Sequence, residues 1–303
     1  MSFSGDVRRE MRRTINDRDK QFACLYGILL YSRVFTEKQI CIQSESREVA
    51  SLVPELFRSV FGFLPESDEK TEGGLYSFTV TDEAQLSEIR KAYQADPDKR
   101  EINLSRLVNN SLNAFLAGVF FICGSAADPN KEYHLEFVTP TEHLCRDLHT
   151  FLCSFGVEGR IIQRKKSFVL YLKDSECIED TLTFMGAQQC TIDLMNIKIR
   201  KDMRNKANRL RNCDEANINK VVNAAMKQTE DILLLEKYNE LENLSPEIQE
   251  VAKLRLENPE LSLKEIGELL TVPIGRSGVN HRFQKIAAIA KELRENGCKA
   301  DIP

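Results

Sequence analysis

The chain has 303 residues, 42% hydrophobic and 29% charged, with 46 acidic against 42 basic side chains and a formal net charge of −4. That length allows two domains, and that composition is ordinary for a globular protein. No run approaches the ~20 apolar residues of a membrane span, and the charge-studded first nineteen residues lack the apolar core of a signal peptide, so the expected location is the cytoplasm.

Three landmarks recur along residues 1–195. Leu25-Tyr26-Gly27-Ile28-Leu29-Leu30 is matched 91 positions on by Leu116-Ala117-Gly118-Val119-Phe120-Phe121. Phe61-Gly62 returns as Phe155-Gly156, at an offset of 94, and Ser77-Phe78-Thr79-Val80 as Ser167-Phe168-Val169-Leu170, at 90. Offsets that drift so little mark a duplicated unit with small loop insertions, the halves spanning about 1–104 and 105–195. Each half predicts an apolar helix (19–33; 111–124), then an alternating strand (39–43; 133–138). An amphipathic helix follows (47–61; 141–155), with Thr141 as a candidate N-cap, then a further strand (75–81; 167–173) and a short helix. The second half adds a strand at 160–163. Its counterpart in the first half, 62–74, is polar and turn-rich, and there a shortened or lost strand is expected.

Glycine in a helix interior costs ~1 kcal/mol, so Gly118 requires a packing reason, and close approach of the two apolar helices supplies one. Leu116 to Gly124 resembles the LAGLIDADG motif of homing endonucleases. In that family the motif helices pack between the halves, and the last acidic residue of each motif binds the metal that cleaves DNA. The resemblance places Cys123 and Ser32 at those two positions. Hard divalent cations are held by oxygen ligands, usually carboxylates. No catalytic residue and no metal or other cofactor is therefore expected. Asp128, in Asp128-Pro129-Asn130, reads as a turn residue. His134, His143 and His149 lie loosely among Cys145 and Cys153, but the apolar periodicity of that segment already explains its cysteines, and no metal site is expected there.

Residues 196–243 read as a basic hinge and linker helix. Lys198, Arg200, Lys201, Arg204, Lys206, Arg209 and Arg211 face a single acid, Asp202, in fourteen residues. Such a cluster neutralises phosphates whatever the base sequence. Asn205 to Asn217 closely resembles a signature of the WhiA family, and 218–235 predicts a helix.

Residues 244–303 predict three helices. Ser245-Pro246-Glu247 opens the first, Ser262-Leu263-Lys264-Glu265 the second, and the third begins near Ser277 after a turn at 271–275. This is a helix-turn-helix, its motif at about 261–294. The outward face of the third helix carries Ser277, Asn280, His281, Gln284 and Lys285, with Arg276 and Arg282 beside them. Asn280, His281 and Gln284 suit base edges; Arg276, Arg282 and Lys285 suit phosphates. Lys264 to Gly267 with Ser277 to Arg282 resembles the helix-turn-helix of the WhiA family, itself similar to region 4 of sigma factors.

The fold expected is α+β: a pseudo-twofold LAGLIDADG-like domain followed by an all-α helix-turn-helix domain. The resemblance implies a non-catalytic regulator of cell division, chromosome segregation or sporulation, associated with the nucleoid. Its partner is double-stranded DNA, with other transcription or cell-division proteins beside it, and no membrane or small-molecule substrate is involved. Two alternatives stay open: an active endonuclease, and a protein-binding scaffold anchored on DNA.

Overall fold

The structure, a computed structural model, describes residues 2–70, 74–165 and 167–300, so Met1 and residues 301–303 of the expected domain limits lie outside the described residues. Contacts divide the chain into Met1–Lys201 and Asp202–Pro303.

The first unit is built twice on one plan. In the first half α2 (Arg18–Leu30) leads into β1 (Val34–Phe35), β2 (Ile40–Ser44), α3 (Arg47–Phe61), β3 (Glu66–Lys70), β4 (Leu75–Val80) and α4 (Glu83–Tyr93). In the second, α5 (Leu112–Cys123) leads into β5 (Gly124–Ala126), β6 (Leu135–Thr139), α6 (Glu142–Cys153), β7 (Arg160–Arg164), β8 (Ser167–Leu172) and α7 (Ser175–Phe184). The antiparallel sheets run β1-β2-β4-β3 and β5-β6-β8-β7, the same order. The expected shortening or loss of the strand at 62–74 is corrected: β3 is as long as β7 and pairs with β4 from Glu66↔Thr79 to Lys70↔Leu75. Backbone pairing at a sheet edge needs no apolar side chains, so the polar run 66–70 carries a strand that hydropathy does not reveal. Thr141 caps α6 by accepting from Leu144 N at 3.3 Å.

α2 and α5 pack face to face at the centre of this unit, with Leu25, Ile28, Leu29, Leu116, Phe120 and Phe121 buried. A methyl group on Gly27 would overlap the Phe115 carbonyl, and one on Gly118 the Cys24 carbonyl. These two glycines are what allow the helix backbones to touch. The helix α1 (Phe3–Thr14) was not legible in the sequence; it buries Val7, Met11 and Ile15 and joins the core. Ser4 Oγ donates to Ala126 O at 2.8 Å and accepts from Ala126 N at 2.7 Å, fastening α1 to β5.

α8 runs unbroken from Gln188 to Lys237, starting in the first unit and ending in the second. Residues 196–237 of the expected basic hinge and linker helix are thus helical. No glycine or proline occurs between 188 and 237, so nothing in the chain forces a break. Glu10 closes the start of α8, accepting from Cys190 N at 2.9 Å.

The second unit adds α9 (Pro246–Glu257), α10 (Leu263–Leu269) and α11 (Arg276–Ala300) around a separate core of Ile232, Leu235, Val251, Ile266, Val279, Phe283, Ile286 and Ala290. No helix among the described residues is long and apolar enough to cross a membrane.

Candidate nucleic-acid interface

The geometry of the helix-turn-helix follows from a few local interactions. Ser262 and Glu265 form a reciprocal capping box at the start of α10: the Ser262 side chain accepts from Glu265 N at 3.3 Å, and Glu265 Oε2 accepts from Ser262 N at 2.8 Å. These bonds hold the Glu265 carboxyl below its ordinary value. Ile274 N donates to Gly267 O at 3.1 Å across the turn, and a methyl group on Gly267 would overlap the Ile274 carbonyl. The turn is thus tight because residue 267 has no side chain. Thr271 N and Oγ1 both donate to Glu250 Oε1, at 2.6 and 2.7 Å, tying the turn to α9.

One buried cation organises the rest, and sequence reasoning missed it. Arg255 is 2% exposed. Its guanidinium donates to Leu261 O at 2.6 Å, Pro259 O at 3.1 Å and Gln228 Oε1 at 3.1 Å, and lies 5.5 Å from the Phe283 ring. It links α8, the loop after α9, and α11. The buried Asp231 pairs with Arg294 Nη1 at 2.7 Å and fixes α8 to the far part of α11. Only a spacing across separate helices, invisible to local periodicity, would have revealed either pair.

Against this frame α11 turns Val279, Phe283, Ile286 and Ala290 inward. Arg276, Ser277, Asn280, His281, Gln284 and Lys285 are all exposed, on successive turns of its first half. Arg282 differs: it is half-buried and donates from Nη1 to Glu247 O at 3.2 Å, so it also anchors α11 to the start of α9.

The basic residues of α8 divide in the same way. Lys198 pairs with Glu179 at 3.4 Å and Glu176 at 3.8 Å. Lys201 donates to Pro129 O at 2.7 Å and sits 4.7 Å from the Tyr133 ring. Both are engaged within the first unit. Arg200, Arg204, Lys206, Arg209 and Arg211 are exposed, Arg211 lying 3.9 Å from Glu215 one turn on.

The positions where the endonuclease family holds metal carry a different chemistry. Ser32 is fully buried, and its hydroxyl lies 2.7 Å from Leu29 O and 3.0 Å from Val34 O, turned toward backbone carbonyls. The Cys123 thiol donates to Val119 O at 3.2 Å, and burial pushes its pKa well up, away from the thiolate that binds metal. These residues do not fit a divalent cation. Asp128 is spent on its turn, its Oδ1 accepting from Asn130 N at 2.9 Å and Asn130 Nδ2 at 3.0 Å. Among the described residues no three His, Cys, Asp or Glu side chains converge as a metal site. His149 Nε2 instead lies 3.1 Å from Gly159 O, and His134 Nε2 3.1 Å from Glu136.

Residues 112–204 match the family model of the WhiA LAGLIDADG-like domain, and residues 207–290 that of the WhiA C-terminal HTH domain. The chain is 36% identical to a probable cell division protein WhiA of Thermoanaerobacter pseudethanolicus and 37% identical to one of Clostridium perfringens, in each case over 97% of this chain and 99% of the relative. Among solved structures, full-length DUF199/WhiA from Thermatoga maritima superposes with a TM-score of 0.60 at 22% identity, covering 96% of this chain and 99% of that one. The N-terminal LAGLIDADG domain of DUF199/WhiA superposes with a TM-score of 0.50 at 18% identity, covering 61% and 90%. At those identities the two structures speak for the fold.

Proposed function

The chain belongs to the WhiA family, and from that premise we propose that it is a non-catalytic DNA-binding regulator of transcription, acting in cell division, chromosome segregation or sporulation. The observation that carries this reading is the first half of α11. It is held rigidly by its inward side chains and presents Ser277, Asn280, His281 and Gln284 to solvent. A helix of a helix-turn-helix enters the major groove by this end. Asn280, His281 and Gln284 carry the donors and acceptors that read base edges, with Ser277 beside them, while Arg276 and Lys285 reach phosphates. Arg282 spends one donor on Glu247 and keeps the others for a phosphate.

Exposed Arg200, Arg204, Lys206, Arg209 and Arg211 on α8 add affinity that does not depend on sequence, and the tied Lys198 and Lys201 contribute less. Net charge does not oppose this, because duplex DNA responds to local patches and not to the total. The site of action is the nucleoid. The first unit keeps the nuclease scaffold without its ligand carboxylates, so binding without cleavage is the reading that Ser32 and Cys123 support. Incubation of the protein with supercoiled plasmid tests it: retarded mobility in EDTA and in Mg²⁺ alike, with no nicked or linear product, is the expected result. Mg²⁺-dependent nicking abolished by Asp128→Asn would overturn it.

A further inference from the structure

α2 and α5 end in the same way. Arg100 Nε donates to Leu30 O at 2.9 Å and its Nη2 donates to Ser32 O, with the guanidinium 5.8 Å from the Phe35 ring. Arg8 Nη2 donates to Gly124 O at 2.6 Å, with the guanidinium 5.5 Å from the Phe120 ring. Each guanidinium therefore lies against backbone within one residue of a position where the nuclease family has its metal-binding acid. The two arginines are 92 positions apart (100 less 8), inside the 90 to 94 spacing of the internal repeat. Each precedes one motif helix in the chain and closes the end of the other: Arg8, in α1 before α2, closes α5, and Arg100, in the segment before α5, closes α2.

The physics favours a cation there. Leu30 O is the last carbonyl of α2, without a partner within the helix and carrying partial negative charge, while Ser32 O and Gly124 O follow just past the two helix ends. A guanidinium offers five donors in a planar fork and satisfies several such oxygens at once. Burial lowers both pKa values, that of Arg100 to about 10, and a guanidinium is not deprotonated at neutral pH in a protein. A second cation brought beside a fixed, poorly solvated one is repelled.

We propose that Arg8 and Arg100 are a pair of resident cations, crossed between the two motif helices, that take the place of divalent metal at the two motif-helix ends and close both ends to it. This rests on the non-catalytic reading and deepens it: the scaffold has lost two ligands and also gained two occupants. Restoring the carboxylates alone then does not restore a metal site, because each new carboxylate meets an arginine.

The test is Mn²⁺ uptake by the full-length chain, read by electron paramagnetic resonance. Ser32→Asp/Cys123→Asp is expected to bind Mn²⁺ no more tightly than the wild type. The same variant with Arg8→Gln and Arg100→Gln is expected to bind it at least about tenfold more tightly. Equal binding with and without the arginines, including no binding by either, overturns the proposal. Thermal melting of single variants carries the test if the fourfold variant does not fold. Arg8→Lys and Arg100→Lys should melt near the wild type, and Arg8→Met and Arg100→Met several degrees lower, with Mn²⁺ leaving the wild-type melt unmoved. Methionine variants as stable as the wild type, or a wild-type melt raised by Mn²⁺, overturn it. Plasmid cleavage by the wild type would sink the non-catalytic reading itself, a separate outcome from Mn²⁺ uptake by the acid variant.

Discussion

Gly118 and Asn280 mark the two kinds of residue on which the molecule depends. Gly118 is set by packing: the Cys24 carbonyl occupies the space a side chain needs, and that oxygen belongs to backbone that cannot rotate aside. Gly118→Ala is expected to destabilise the first unit by about 1–3 kcal/mol or more, measured by chemical denaturation. An unchanged midpoint would mean that α2 and α5 do not approach as closely as the structure has them. Asn280 is exposed and serves no core, and the proposed reading makes it a base contact. Asn280→Ala is expected to leave stability unchanged and to reduce discrimination against the wrong base at one position of the site, each good base contact contributing roughly 1–3 kcal/mol. Equal weakening on every sequence would instead make Asn280 a phosphate contact. The packing of Gly118 was legible in the sequence, because a glycine inside an apolar helix needs a reason. Arg255 was not: a buried arginine looks like any surface arginine until its partners on three other segments are known.

Elements with a strong period were readable, and those without it were not. α3 shows its apolar side at Val49, Leu52, Val53, Leu56 and Phe57, and its limits agree to the residue with those the period predicts. In α1 and at its C-cap the buried Val7, Met11 and Ile15 recur every fourth residue, but arginines and acids between them obscure the stripe. β3 has no apolar face at all. On α8 charge was readable, while continuity was missed, although the absence of glycine and proline was there to be weighed. At this scale the exposed arginines make a direct prediction. Arg204→Gln/Arg209→Gln should weaken binding to all sequences alike and lower the slope of log affinity against log salt by roughly 0.9 for each phosphate no longer neutralised. An unchanged slope would remove α8 from the interface. The capping box of α10 makes a second prediction. Ser262→Ala should cost about 1 kcal/mol, seen as a lower melting temperature of the second unit.

The whole molecule joins a duplicated scaffold to a unit with a core of its own, and acid acts on that second unit through named carboxyls. Glu247, Glu250 and Glu265 are held below ordinary carboxylate values in the second unit by hydrogen bonds, chiefly from Ser245, Thr271 and Ser262. A carboxyl depressed in the folded state contributes stability that is present above its unfolded value and lost as pH falls through the folded one. The second unit should therefore lose stability as pH drops below about 4.3. Glu250→Gln should flatten that loss, as followed by circular dichroism. A wild-type and variant curve of the same shape would show that Glu250 is not coupled to folding. The repeat, the motif helices and the three-helix unit were legible because each leaves a local pattern. The arginines crossed between the motif helices became visible only once the two helices were seen together.

Base reading by α11 is tested by the specificity ratio of the full-length protein: its affinity for a duplex selected from random sequence, divided by its affinity for an unrelated duplex of the same length and at the same salt. For Asn280→Ala/His281→Ala/Gln284→Ala the ratio is predicted to collapse toward one, while binding to the unrelated duplex persists and stays salt-sensitive. A ratio equal to that of the wild type would contradict the account, because sequence would then be read somewhere other than α11.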